Sequence, residues 1–95
     1  ISVELKIILG VTLMRNDNKL TYSDIGAYLY KLRKELKLSR GEIARKARVS
    51  TRTIYNVENG CHTPRIPELA RISSAYDMTL TDLFASADLY YQALL

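Results

Sequence analysis

A group of polar residues between positions 50 and 59 has the spacing of one face of a short helix. The group comprises Thr51, Arg52, Tyr55, Asn56 and Asn59. Ile54 and Val57 fall on the opposite, apolar face, so the polar side chains are expected to point outward. A guanidinium and a carboxamide each offer paired hydrogen-bonding groups, and the hydroxyls add single ones. No nucleophile stands beside a base, so the chemistry indicated is recognition by hydrogen bonds and not catalysis.

Positive charge is concentrated in and before this segment. Residues 31–56 contain nine Lys or Arg residues and two Glu residues, a net charge of +7, whereas the whole chain carries +4 and the remainder therefore −3. The nine cations are Lys31, Arg33, Lys34, Lys37, Arg40, Arg45, Lys46, Arg48 and Arg52. A basic block of this kind is typical of proteins that bind a polyanion such as nucleic acid. On charge alone, an ordinary solvated helix face is the alternative.

The few other reactive residues argue against other kinds of site. Cys61 is the single cysteine, which excludes an internal disulfide and favours a reducing, cytoplasmic compartment. His62 is the single histidine, and these two neighbours cannot complete a metal site. No glycine-rich phosphate loop is present. We therefore expect no enzyme, no cofactor and no metal.

Five helices are predicted between residues 21 and 84, because helix starts and stops recur there at short intervals. The predicted starts lie near Ser23 and Asp24, at Ser39, at Ser50 or Thr51, after Pro64 and Pro67, and at Thr79 or Thr81. The second start is a capping box, in which Ser39 and Glu42 satisfy each other's backbone amides. The second helix should end near Ala47 and the third at the pair Asn59-Gly60, which suits a left-handed helix end.

The two ends of the chain are less regular. Residues 1–22 fit a helix and a β-hairpin about equally. Their apolar content predicts that they pack on the bundle or join a partner subunit. Glu4 and Lys6 interrupt the first 14 residues, which match neither a membrane span nor a signal peptide. Residues 85–95 carry an apolar stripe that indicates a continuation of the fifth helix or a further helix.

Residues 40–60 form a pattern of two helices that cross through a tight turn. Ala44 is small enough to let the second helix approach, Ile54 and Val57 reach the same core, and Val49 fills the turn. Further markers are Leu38-Ser39, Ile43-Ala44, Val49-Ser50, Thr53-Ile54, Val57-Glu58-Asn59-Gly60, Pro64 and Leu80-Thr81-Asp82-Leu83-Phe84. Residues 25–84 thus resemble the helix-turn-helix family of phage Cro proteins, phage repressors and xenobiotic-response-element regulators. Two positions depart from the family pattern: Arg40 replaces a usual glutamine, and Arg48, where glycine is common, must tolerate a positive φ.

The resemblance implies that the helix at 50–59 enters the major groove while the second helix lies across the DNA backbone. Base readout would then involve Thr51, Arg52, Tyr55 and Asn56, with Arg52 suited to guanine and Asn56 to adenine. For Tyr55, a phosphate contact or a place in the core is also open. Phosphate contacts are expected from Arg40, Ser50, Thr53, Asn59, His62, Thr63 and Arg65. The resemblance also implies a structural ion pair between Arg33 and Glu58.

The sequence therefore predicts an all-α, five-helix repressor-type bundle. Residues 23–84 are expected to form the DNA-binding domain, with residues 1–22 as an N-terminal extension and residues 85–95 as a helical C-terminal extension. The expected function is sequence-specific binding of double-stranded DNA by a cytoplasmic transcriptional regulator of a prokaryotic cell or phage. A repressor that binds a palindromic operator as a homodimer is the simplest form, and no membrane is expected as a partner. The rival interpretation is an antitoxin or co-activator that uses the same fold for protein contact, and an effector domain outside this sequence is a further alternative.

Overall fold

The fold was obtained as a computed structural model, which describes residues 20–94. This part of the chain contains five helices and no strand. The helices are α1 (Tyr22–Glu35), α2 (Arg40–Ala47), α3 (Thr51–Glu58), α4 (Ile66–Ala75) and α5 (Leu80–Leu94). The predicted all-α, five-helix bundle is confirmed. The expectation of a helix or hairpin in the N-terminal extension lies outside the described residues, apart from residues 20–22.

Capping boxes define the starts of the first two helices. Thr21 accepts a hydrogen bond from the Asp24 amide at 3.1 Å, and the Asp24 carboxylate accepts one from the Thr21 amide at 3.0 Å. The prediction of a start near Ser23 and Asp24 was therefore slightly late, because Asp24 is the third helical residue and not the cap. At α2 the box is the predicted one, with Ser39 and Glu42 bonded reciprocally at 3.0 and 3.1 Å. These bonds from Ser39 hold the pKa of the Glu42 carboxyl below its usual value.

All five helices contribute to one apolar core. Leu29 of α1, Ile43 of α2, Ile54 of α3, Leu69 of α4 and Leu83 of α5 are all buried. Burial of these side chains, each supplied by a different helix, is the main force that holds the short helices together. Helices of eight residues such as α2 and α3 would not be stable alone.

Small residues allow α3 to lie close to its neighbours. A methyl group on Gly26 of α1 would clash with the carbonyl oxygen of Val57, near the end of α3. On α2, Ala44 and Ala47 are buried. The Ala47 carbonyl at the end of α2 accepts a hydrogen bond from Arg71 Nε of α4 at 3.2 Å. The contacts of α3 with α1, and of α2 with α4, therefore fix the position of α2 and α3 relative to the other helices.

Left-handed residues separate the central helices. Arg48 ends α2 with φ 58° and ψ 43°, so the positive φ expected at this position is present. After α3, Gly60 has φ 74°, a conformation that costs glycine nothing. The turn between α2 and α3 is thus only three residues long, residues 48–50.

The C-terminal stripe belongs to α5, which continues unbroken to Leu94. The tail is therefore a continuation of the fifth helix and not a further helix. Tyr90 packs on Tyr28 of α1, with ring centroids 5.6 Å apart. Among residues 20–94, no helix is long and apolar enough to cross a membrane.

Candidate nucleic-acid interface

The structure places most of the predicted base-reading residues on the solvent side of α3. Thr51 and Arg52 are exposed, Tyr55 is 48% exposed and Asn56 is half-buried. Ile54 and Val57 face inward and are buried. Since α3 begins at Thr51, the exposed Thr51 and Arg52 lie at its amino end. This end of a helix can approach a base edge without obstruction from the core.

Three of the predicted phosphate-binding residues also hold the ends of α3. Ser50 Oγ caps the helix by accepting from the Thr53 amide at 3.0 Å, and the Ser50 and Thr53 hydroxyls are hydrogen-bonded to each other at 2.8 Å. At the other end, Asn59 Nδ2 donates to the Tyr55 carbonyl at 2.8 Å. Ser50 and Asn59 are exposed, and Thr53 is half-buried. These side chains therefore stabilise the ends of α3 in the absence of any ligand.

The loop between α3 and α4 contains three more of the predicted phosphate-binding residues. His62, Thr63 and Arg65 are exposed, while Pro64 between them is buried. His62 Nε2 lies 2.7 Å from Glu68 Oε1, in the first turn of α4. Within residues 20–94 no group of three His, Cys, Asp or Glu side chains is arranged to hold a metal ion.

A buried ion pair connects α1 to the last residue of α3. Arg33 Nε donates to Glu58 Oε2 at 2.7 Å, and Arg33 Nη2 donates to Glu58 Oε1 at 3.1 Å. The third nitrogen of Arg33, Nη1, donates to the Leu38 carbonyl at 2.9 Å. The side chains are only 7% and 2% exposed. The hydrogen bonds to Glu58 raise the pKa of Arg33 in spite of its burial. This bidentate pair holds the carboxyl end of α3 against α1.

A second arginine reaches the same carboxylate. Arg40, the first residue of α2, donates from Nε to Glu58 Oε1 at 3.1 Å. Its guanidinium lies over the ring of Tyr55, 5.0 Å from the ring centre, and its side chain is 34% exposed. Arg40 and Tyr55 were expected to make separate contacts, with a phosphate and with a base. The structure brings the two side chains together beside the carboxyl-terminal half of α3.

A family model described as Helix-turn-helix matches residues 29–83, more than half of the 95-residue chain. The chain belongs to this helix-turn-helix family. No curated protein and no solved structure matched the sequence. The matched region begins within α1 and ends within α5, so it contains all of α2, α3 and α4. Family membership confirms the resemblance to phage Cro proteins and repressors, and it makes the chain a DNA-binding transcription regulator in general terms.

The surface of the helix-turn-helix domain carries six of the nine cations of the basic block at residues 31–56. Lys31 is paired with Glu35 at 2.9 Å, and Arg33 is buried against Glu58. Six cations of the basic block are exposed: Lys34, Lys37, Arg45, Lys46, Arg48 and Arg52. Within residues 20–94 none of these six forms an ion pair. Their charge is therefore available to an anionic partner.

Two contacts of the helix-turn-helix domain were missed by the sequence analysis. The hydrogen bond from Arg71 to the Ala47 carbonyl joins residues 24 positions apart, and the one from Arg40 to Glu58 joins residues 18 positions apart. No local pattern signals either contact. The only available signal for the second was that Arg40 occupies a place where the family usually has glutamine.

Proposed function

We propose that this helix-turn-helix protein is a transcriptional repressor that binds double-stranded DNA sequence-specifically, with α3 in the major groove. The observation that carries the proposal is the exposed amino end of α3, where Thr51 and Arg52 stand free of the core. Arg45 in α2 and Arg48 at the end of α2 are also exposed cations. An α-helix fits the major groove of B-form DNA, in which each base pair shows a distinct pattern of donors and acceptors. The surrounding cations supply the sequence-independent part of the affinity.

Each proposed reader has a chemistry that suits one kind of base edge. Arg52 has the guanidinium that can donate two hydrogen bonds to guanine O6 and N7, and Asn56 has the carboxamide that pairs with adenine N6 and N7. The methyl group of Thr51 suits the methyl group of thymine. Because Asn56 is half-buried, it needs a closer approach of the groove than Arg52. Arg52 is therefore the principal specificity residue in this proposal.

Backbone contacts would come from both ends of α3 and from the following loop. The contributing residues are Ser50, Thr53, Asn59, His62, Thr63 and Arg65, together with Arg40. Ser50 and Thr53 are hydrogen-bonded to each other through one hydroxyl hydrogen. The other hydroxyl hydrogen of the pair can still be donated to a phosphate oxygen. Contacts of this kind set register and affinity but do not read the sequence directly.

A single α3 spans only a short stretch of sequence, so useful specificity requires two copies on one operator. We propose a homodimer on a palindromic site, because two-fold symmetry in the protein then matches two-fold symmetry in the DNA. Light scattering with and without a palindromic duplex measures this. A strictly monomeric protein in both conditions would rule the dimer out.

Selection of bound duplexes from a random DNA pool tests the proposal directly. The wild-type chain should enrich one short motif, repeated with inverted symmetry. Arg52→Ala should lose its preference at one base pair, where a bidentate contact contributes about 1–3 kcal/mol of discrimination. Lys34→Ala is the matched control, since Lys34 is an exposed cation on α1, and it should leave the motif unchanged.

Two outcomes would contradict the assignment. A wild-type chain that enriches no sequence would exclude sequence-specific binding. An Arg52→Ala variant that weakens selected and random duplexes equally would make Arg52 a phosphate contact. The selected site, placed across a reporter promoter, should lower expression if the protein is a repressor, and increased expression would make it an activator.

A further inference from the structure

Arg40 lies between the interior of the protein and the proposed DNA surface. We propose that Arg40 binds Glu58 and a DNA phosphate at the same time, and that Tyr55 supports its guanidinium and does not read a base. The inference rests on the proposed function, because it requires that α3 meets DNA. It makes Arg40 a positioning residue that couples backbone binding to the orientation of α3.

The hydrogen-bond donors of the two arginines are used differently. Arg33 places all three of its nitrogens on protein acceptors, two on Glu58 and one on the Leu38 carbonyl. Arg40 uses Nε alone, and its Nη1 and Nη2 atoms have no hydrogen-bond partner among residues 20–94. Those two nitrogens carry four N–H donors in a planar fork, the geometry that suits phosphate oxygens.

The charge of the cluster points to an anionic ligand on the outer side. Two guanidinium groups face one carboxylate, so one positive charge is uncompensated. Arg33 and Glu58 are almost fully buried, whereas Arg40 is 34% exposed. Only Arg40 can present this charge to a partner. It is also the first residue of α2, where the partial positive charge of the helix end favours an anion as well.

The ring of Tyr55 limits where the Arg40 guanidinium can go. The cation lies over one face of the ring at 5.0 Å, a distance typical of a cation–π contact. That face is therefore covered and not open to a base. Arg40 belongs to α2, whereas Tyr55 and Glu58, which it contacts, belong to α3. A phosphate bound by Arg40 would therefore be linked through Arg40 to the position of α3. A change at Arg40 should thus alter selectivity as well as overall affinity.

A double-mutant cycle with Arg40→Gln and Tyr55→Leu tests the coupling. Binding is measured over a range of salt concentrations, on the duplex selected by the wild-type chain and on a scrambled duplex. Arg40→Gln should lower the slope of log affinity against log salt concentration by about 1. It should also weaken binding to the selected duplex more than binding to the scrambled one. Tyr55→Leu should weaken binding in the wild-type background but cause little further loss in Arg40→Gln, a non-additivity of at least about twofold in Kd.

Two further variants separate the roles. Tyr55→Phe keeps the ring and loses the hydroxyl, so it should bind both duplexes like the wild type. Arg45→Gln removes an exposed cation of the same helix that forms no ion pair within the described residues, and its effect should add to that of Tyr55→Leu. The unfolding free energy of each variant is measured alongside. If Arg40→Gln does not fold, the affinities of Tyr55→Phe and Tyr55→Leu for the two duplexes still show whether the ring or the hydroxyl of Tyr55 is needed. Neither of these changes alters Glu58.

Additive losses in the Arg40 and Tyr55 cycle would overturn the inference. So would a Tyr55→Phe variant that loses preference at a single base pair, because Tyr55 would then read a base through its hydroxyl. In both cases the wild-type chain still selects a sequence, and the proposed function survives. A wild-type chain that binds no duplex selectively would instead refute the proposed function itself.

Discussion

Replacing Glu58 by glutamine removes one negative charge from the cluster at nearly constant side-chain volume. The carboxylate is 2% exposed and accepts three hydrogen bonds from two arginines. Removing one partner of a buried ion pair costs about 3–5 kcal/mol, because the other charge remains buried without compensation. The glutamine oxygen can still accept from Arg33, and Arg40 can turn toward water. We therefore expect Glu58→Gln to lower the free energy of unfolding by an amount near the lower limit, about 3 kcal/mol.

Urea unfolding followed by far-UV circular dichroism measures this loss. A domain of this size has a total stability of about 5–15 kcal/mol, so the variant should remain folded but with a much lower midpoint. The melting temperature should fall by about 12–24 °C. Glu35→Gln is the matched control, because it removes the carboxylate from an exposed pair whose side chains are 38% and 59% accessible. The control should show no resolvable change, and a Glu58→Gln variant as stable as this control would refute the reasoning.

The remaining predictions concern the backbone and one half-buried tyrosine. Gly26→Ala forces a methyl group against the Val57 carbonyl and should lower the unfolding free energy by at least about 2 kcal/mol. At Gly41 an added methyl would meet only Ser39 Oγ, at an ordinary contact distance of 3.8 Å, so Gly41→Ala should raise the unfolding free energy by about 0.5–1 kcal/mol. Urea titrations in which both variants change the unfolding free energy in the same direction would contradict the packing. Arg48→Gly relieves a positive φ and should raise stability by up to about 1 kcal/mol, which an unchanged urea midpoint would disprove. Burial raises the pKa of Tyr76 above its ordinary value of 10.0, so its contribution to stability is complete below that pH and is lost as the pH rises beyond it. Tyr76→Phe should therefore lose less stability than the wild type on alkaline titration, and parallel losses would refute the burial effect.

The parts of the fold that could be predicted depend on signals a few residues apart. Ser39 and Glu42 form their capping box within one turn, and the small residue Ala44 is followed at the proper distance by Ile54 and Val57. Such patterns are sufficient because helix ends and apolar faces are set by neighbours in sequence. The start of α1 has the same spacing, with Thr21 and Asp24 in a capping box, so its late prediction reflects a local signal that was missed and not a limit of such signals.

The side-chain contacts around Glu58, at the carboxyl end of α3, could not be predicted in this way. Arg40 and Glu58 are 18 residues apart, and their bond depends on how α2 and α3 cross. Arg33 and Glu58 are 25 residues apart and were paired only through the family resemblance. The placement of Arg40 over Tyr55 depends on a rotamer that neither composition nor periodicity specifies. Side-chain networks between helices therefore required the three-dimensional structure.

The Glu58 carboxylate connects the stability of the domain to its proposed DNA surface. One of its partners, Arg33, is buried and supports the fold, while the other, Arg40, reaches solvent and has donors to spare. A phosphate on Arg40 would neutralise the excess positive charge and so relieve repulsion between the two guanidinium groups. DNA would then strengthen the attachment of α3 to α1 and α2 in addition to the stabilisation that any ligand of the native state provides. Substitution of Glu58 is consequently expected to change folding and DNA binding together, whereas Arg40→Gln and Tyr55→Leu leave the carboxylate in place and can separate the two effects.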